Sequence, residues 1–373
     1  MTPGAPVVIQ DVTLREGLQA ADVAFSPDDK KEFARRLAVA GFRRVQAGYA
    51  GSDDATVAAL KQAVPALELS VLVVAWRPDW EEAARSAAAA GADVLMLLLR
   101  IAPRQLEAIG FSTDRALERI DAAVRHMAKL APVVSFDPSF VTLADPGFLR
   151  QAYTTAAAAG AADHGIADST GVATPERMAE LVTTVRDITG GTVGVHCHND
   201  FGLALANTLS AIAAGASLAD ASFLGLGERA GNCATEELAV ALELLRHSPT
   251  GVRLEDLTGI ASFVSEVSRV PIPASKAVVG ADAFSQKLDM HVAMTRRDPT
   301  LLEPFPPERV GNRRHLRLGL GTGPLAVQTK LEELGLPSVS DAEAITLAAW
   351  INDTARSRHA AVSDGELRER VTA

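Results

Sequence analysis

The chain has 373 residues, of which 48% are hydrophobic and 22% charged, and a formal net charge of −10. This composition excludes wholesale disorder and permits a large core, and the acidic total argues against nucleic-acid binding as the main activity. Two cysteines, Cys197 and Cys233, exclude a disulfide framework and point to a reducing cytoplasm. No apolar run is long enough to span a membrane, and no basic segment followed by an apolar run suggests a secretion signal.

Along the chain, apolar, β-rich runs fall at 7–13, 43–49, 67–74, 94–99, 133–137, 163–167, 192–198 and 217–224. Helical stretches between them start near Pro27, Asp53, Pro78, Thr113, Pro146, Pro175, Leu203 and Thr235. Ser26, Asp145 and Thr174 each stand at an N-cap ahead of a proline in the first helical position. Gly41, Gly91, Gly160 and Gly215 close helices ahead of strands. Eight strand–helix units with near-continuous apolar strands predict a parallel sheet covered on both faces. The predicted fold class is α/β, a closed (β/α)₈ TIM barrel over residues 1–275; a doubly wound open sheet is the alternative.

After about Leu257 the pattern changes, and Pro271 and Pro273 break the chain. Residues 276–373 read as C-terminal subdomains: a loop-rich linker region at 276–330, rich in Arg, Pro and Gly, and a helical tail at 331–373 with one helical segment over about 341–372.

In such a barrel the active site sits at the C-terminal ends of the strands. Four segments bring reactive residues there. The first run leads into Asp11, Arg15, Glu16 and Gln19, and the sixth into Asp168 and Ser169. The seventh ends in His196, His198, Asn199 and Asp200, and the eighth leads into Glu228, Arg229 and Asn232. His196 and His198 are two apart on a strand, so both imidazoles share one face and Val195 and Cys197 take the other. Such a pair serves equally as metal ligands or as hydrogen-bonded interior histidines. A carboxylate and an amide on neighbouring strand ends favour a divalent metal, with Mg²⁺, Mn²⁺, Zn²⁺ and Co²⁺ all suited. Gly225, Gly227 and Gly231 lack the spacing of a dinucleotide loop and read as a tight turn.

Three motifs, DVTLREGLQ, GVHCHNDFGLALAN and LGLGERAGN, resemble the DRE-TIM metallolyase family, which includes homocitrate, isopropylmalate and citramalate synthases and 3-hydroxy-3-methylglutaryl-CoA lyase. The likeness covers about residues 5–275 and continues into VVGADAFSQKLDMHV and PERVGNRRHLRLGLGTG, which resemble the linker subdomain of the synthases. It implies metal ligation by Glu16, His196, His198 and Asn232, and a place for Arg15 beside the substrate carbonyl. It also implies a Ser169 hydroxyl on the 2-oxo acid carboxylate and an acid–base role for His291, in a homodimer. The implied reaction is a Claisen-type condensation of an acyl-CoA, acetyl-CoA foremost, with a 2-oxo acid, yielding a 2-substituted malate and CoA. The metal would polarise the oxo carbonyl, and Arg15 would stabilise the charge that develops on its oxygen.

Departures from the family pattern bear on the substrate. Gln46 stands where the family has a catalytic Glu, keeping the shape and losing the basicity. Ser139, Phe140 and Leu143 replace an acidic motif after the fifth run, and no Arg stands near Ser135, which argues against the 2-oxoglutarate of homocitrate synthases. Asp289-Met290-His291 replaces small-Gly-Ile-His, and Leu301 or Leu302 takes the place of a Tyr. In compensation Arg77, Arg100 and Arg104 lie past the third and fourth runs, where a guanidinium fork could read a distal anionic group; a solvated helix-entry arginine is the plain alternative for each. Arg313, Arg314 and Arg317 suit either CoA phosphates or a solvated face. The length accommodates the linker subdomain without a C-terminal feedback domain. The expected function is therefore a synthase of specialised biosynthesis, with a lyase of the same site or a catalytically impaired binding paralogue as alternatives.

Overall fold

The computed structural model describes residues 4–372 and divides into two compact units, Met1–Pro271 and Ile272–Ala373. In the first, eight strands form a closed barrel in sequence order: β1 (Val8–Asp11), β2 (Arg44–Tyr49), β3 (Glu68–Val74), β4 (Val94–Leu98), β5 (Val133–Phe136), β6 (Asp163–Asp168), β7 (Thr192–Cys197) and β8 (Leu218–Ala221). All neighbours pair in parallel, and β1 closes onto β8 with Val8 opposite Leu218 and Asp11 opposite Ala221. The doubly wound alternative is thereby excluded.

Two-sided burial accounts for the apolar strands. Leu69, Val71, Val73, Leu95 and Leu97 are fully buried on the helix-facing side. Leu72, Val94 and Met96 cluster inside the barrel with Leu98 against them. Between Gln46 and Gly48 the β2–β3 register shifts, a bulge that re-aims the end of β2 at the rim.

The barrel helices are α1 (Pro27–Val39), α2 (Asp54–Ala63), α3 (Trp80–Ala89), α4 (Pro103–Ala108), α5 (Thr113–Met127), α6 (Pro146–Ala159), α7 (Pro175–Thr189), α8 (Ala204–Ala213) and α9 (Thr235–Val240). The three proline-preceded caps form as expected. Ser26 and Asp29 make a capping box, and Asp145 and Thr174 accept from Phe148 N and Arg177 N. The six-residue α4 is too short to show a helical period and was not predicted. Beyond 257, where the strand–helix pattern changes, α10 (Leu257–Ser268) continues the unit. It buries Leu257, Ile260, Ala261 and Val264, while Arg36 of α1 stacks on its Phe263 with 4.6 Å to the ring centroid.

The second unit begins with a two-residue parallel pair, β9 (Ser285–Gln286) and β10 (His315–Leu316). Its helices are α11 (Asp289–Arg297), α12 (Pro324–Glu333), α13 (Asp341–Arg358) and α14 (Asp364–Thr372). Leu318, Val327, Leu331, Ala348, Ile351, Val362 and Leu367 form its core. Two expectations are revised here. Helix α12 runs across residue 330, so linker region and tail share one core. The single terminal helix is two helices, because His359 turns left-handed at φ 54 and Ser363 restarts the chain as a cap bonded to Glu366.

Candidate active site

A cavity of about 470 Å³ opens at the C-terminal ends of the strands. Its polar edge is built from four segments. Asp11, at the end of β1, is fully sheltered and accepts from Thr13 N at 3.0 Å and from Thr13 and Thr235 Oγ1 at 3.1 Å. Burial pushes its carboxyl up to about 7. It pins the turn that presents Arg15 and Glu16 and does not face the cavity. Asp168 does the same for the segment after β6, accepting from Ala173 N at 3.0 Å, Val172 N at 3.2 Å and Thr142 Oγ1 at 2.9 Å.

Arg15 donates from Nε to Gln46 Oε1 and pairs with Glu16 Oε2. Gln46 in turn donates to Met96 Sδ at 3.1 Å. Burial pushes the Glu16 carboxyl up, but Arg15, His196 and His198 outweigh it and hold the group below its ordinary value. Glu16 stays ionised in a buried place because three positive or polarisable neighbours surround it.

His196 and His198 share one face of β7, as their spacing requires, with Val195 and Cys197 buried on the other. His196 Nδ1 lies 3.1 Å from Asp220 Oδ2, which fixes the ring from behind and leaves Nε2 facing inward. That Nε2 is 3.3 Å from His198 Nε2, and His198 Nε2 is 3.9 Å from Glu16 Oε1. Burial, reinforced by His196, pushes His198 down to about 3, so it is neutral and carries a free lone pair.

Asn232 reaches the same place through an antiparallel bridge with His198. Its Nδ2 donates to Leu226 O at 3.1 Å, while its Oδ1 is buried without a partner. The turn before it requires glycine. A Cβ on Gly231, at φ +81, would sit 1.9 Å from Gly225 O.

These donors fit a divalent cation. One ligand atom from each of Glu16, His196 and His198 lies within 4.8 Å of the others, and the orphaned Asn232 Oδ1 supplies an acceptor that only a cation or a donor would satisfy. A carboxylate, two imidazoles and an amide oxygen suit the borderline and hard divalent ions and select none.

The remaining expected residues are distributed unevenly. Ser169 lines the cavity, its Oγ accepting from Phe140 N at 2.8 Å. Arg100 lines it too. Arg77 is exposed and forked onto Asp79 at 2.7 and 2.9 Å. Arg104 is exposed on α4, and neither Arg77 nor Arg104 is among the cavity residues. Arg229 clamps the rim, forked onto Asp200 at 2.8 and 3.0 Å and donating to Ser169 O at 2.8 Å. His291 belongs to α11 of the second unit and lines a cavity of about 1120 Å³ there with Lys287, Arg317 and His359.

Two cavity carboxyls escaped the sequence reading. Asp220 orients His196 and accepts from Gln10 Nε2 at 2.7 Å. Asp137, after β5, borders the cavity with Oδ2 buried and unpartnered. Burial, with Asp220 and Asp163 nearby, pushes it up to about 8 despite Arg44. The signal available was parity: both fall on the inward-facing register of their strands.

Residues 6–264 match the HMGL-like family model. The chain is 36% identical over 336 residues to a homocitrate synthase of Methanopyrus kandleri, covering 88% of this chain and 83% of that protein. It is 33% identical over 332 residues to a 2-isopropylmalate synthase of Sulfolobus acidocaldarius, with 88% and 86% covered. An (R)-citramalate synthase of Methanocaldococcus jannaschii is 33% identical over 340 residues, with 90% and 68% covered. Among solved structures, the HMG-CoA lyase from Brucella melitensis superposes with a TM-score of 0.63 at 20% identity, covering 71% of this chain and all (100%) of that one; this likeness concerns the barrel fold.

Proposed function

The chain belongs to the HMGL-like family, and from that premise we propose that it is an acyltransferase condensing an acyl-CoA, acetyl-CoA foremost, with a 2-oxo acid to give a 2-substituted malate and CoA. The observation that carries this reading is the convergence of Glu16, His196 and His198 within 4.8 Å, with Arg15 paired to Glu16 and Asn232, bridged to His198, left with an unpartnered Oδ1. A divalent cation held by Glu16, His196, His198 and Asn232 would supply the Lewis acidity that activates a 2-oxo acid carbonyl.

The chain's own residues supply the rest. Arg15, held between Gln46 and Glu16, keeps a fixed positive charge where the carbonyl oxygen becomes negative, so little reorganisation accompanies the reaction. Ser169 uses its oxygen lone pair on Phe140 N, which leaves its hydroxyl proton for the substrate carboxylate. Asp220 holds His196 in one orientation through Nδ1. His291, on α11 of the second unit, is the proposed acid–base group. Action as a homodimer in the cytoplasm belongs to the same reading. Among the described residues no helix is long and apolar enough to cross a membrane, and both cysteines are free and buried.

The test is free-thiol release from acetyl-CoA by the metal-loaded protein across a panel of 2-oxo acids. Release with one of them is expected. Cleavage of a 3-hydroxyacyl-CoA without any condensation would assign a lyase instead, and silence in both assays a binding paralogue. His196→Ala is expected to abolish metal binding, measured by elemental analysis after dialysis; retained metal would overturn the ligand assignment.

A further inference from the structure

Three guanidinium groups line the barrel cavity, those of Arg15, Arg100 and Arg229. Arg15 is engaged by Glu16, and Arg229 by Asp200 and Glu228. Among the described residues Arg100 has no carboxylate partner. It extends the line of β4, its backbone bridging Ser139 in parallel. That places it on the inward register shared by Met96 and Leu98, and its side chain is half-buried. Its guanidinium carbon lies 5.1 Å from the Trp76 ring centroid, so the indole braces the fork without neutralising it.

A half-buried cation with no counter-charge is costly, and a ligand of opposite charge offsets the cost. The wall below Arg100 is apolar, made of Leu72, Val74 and Leu98, and suits a hydrocarbon spacer. Asp137 also lines the cavity, with its Oδ2 buried and unpartnered. Because burial keeps it protonated near neutrality, it is a hydrogen-bond donor rather than a repelling charge.

We propose that the 2-oxo acid carries a second oxyanionic group at the far end of its side chain, a carboxylate or a phosphonate, and that Arg100, braced by Trp76, is the specificity-determining residue that reads it. This rests on the condensing reaction proposed above. A guanidinium fork matches either oxyanion through two parallel N–H donors. Reading from the end of β4 also accounts for a chain that offers no arginine near Ser135 on β5.

The experiment uses the full-length, metal-loaded protein with 2-oxoglutarate, 3-phosphonopyruvate and the uncharged 2-oxobutanoate and 2-oxopentanoate. Calorimetric affinity is measured without acyl-CoA, and thiol release with acetyl-CoA. One or both anionic acids are expected to bind more tightly than the neutral ones, and which of the two binds identifies the oxyanion. Arg100→Gln is expected to weaken the preferred acid roughly ten- to hundred-fold, the range for loss of a charge-assisted pair, and to leave the neutral acids unchanged. Arg100→Lys, which keeps the charge and loses the fork, is expected to restore part of the preference. Thiol release with neutral acids alone would overturn the inference while the condensing reading stands. So would an Arg100→Gln effect confined to the KM for acetyl-CoA. Silence with every acid, in binding and in turnover, would remove the condensing reading itself.

Discussion

Asp137 shows what burial does to one carboxyl. Its folded value is pushed up to about 8 by burial, then by Asp220 and Asp163, with Arg44 opposing. The unfolded chain releases that proton near pH 4. Between about pH 4 and 8 the folded state therefore binds more protons than the unfolded one, and Asp137 makes stability fall as pH rises through that window. Asp137→Asn is expected to be increasingly stabilised relative to wild type from pH 5 to pH 8 in urea titrations; a difference independent of pH would show that Asp137 is ionised in the fold. On the proposed reading Gln46 acts as a positioning residue, because its Oε1 accepts from Arg15 Nε. Gln46→Leu is expected to lower kcat at least about tenfold, the scale of a misplaced charge-stabilising donor, with metal content unchanged; an unchanged kcat would show that Arg15 needs no such support. In the sequence, the face shared by His196 and His198 was readable from a spacing of two. Asp220 behind His196 was not, because 24 residues separate the partners and only strand pairing sets them side by side.

At the level of elements, local chemistry was legible wherever a cap, a stop or a period was written into a few residues. Ser26, Asp145 and Thr174 cap as expected, and Asp145→Ala is predicted to cost about 1 kcal/mol of stability through loss of the Phe148 N bond. The segment between β8 and α9 is more demanding. Gly231 lies at φ +81 with Gly225 O where a Cβ would be, so Gly231→Ala must move the backbone that delivers Asn232. It is expected to lose roughly 2 kcal/mol or more and to weaken metal affinity, while Gly259→Ala, with open space around its Cβ position, does neither. Equal metal affinity in both variants would separate Asn232 from the metal site. Helix α4 and the break between α13 and α14 were not legible, since six residues show no period and a left-handed His359 carries no glycine to announce it.

For the whole molecule, the barrel unit contains Glu16, His196, His198 and Asn232 and closes on itself through the β1–β8 pairing. A fragment ending at Pro271 is therefore expected to fold cooperatively and to bind a divalent metal, monitored by thermal melts with and without metal. A fragment that melts without cooperativity would show that the unit depends on residues beyond 271. What the sequence by itself determined is the count of strand–helix units, the helix starts and the side of β7 on which the histidines stand, because each depends on residues within one turn or one strand. The three family motifs were also legible without any coordinates. Only the tertiary structure decided that Asp11 and Asp168 are pins behind the rim and that Arg100, rather than Arg77 or Arg104, faces the cavity. It alone placed Asp137 on the cavity wall and Asp220 behind His196. Those assignments depend on barrel closure and strand register, which join residues up to 224 positions apart and leave no trace in local spacing.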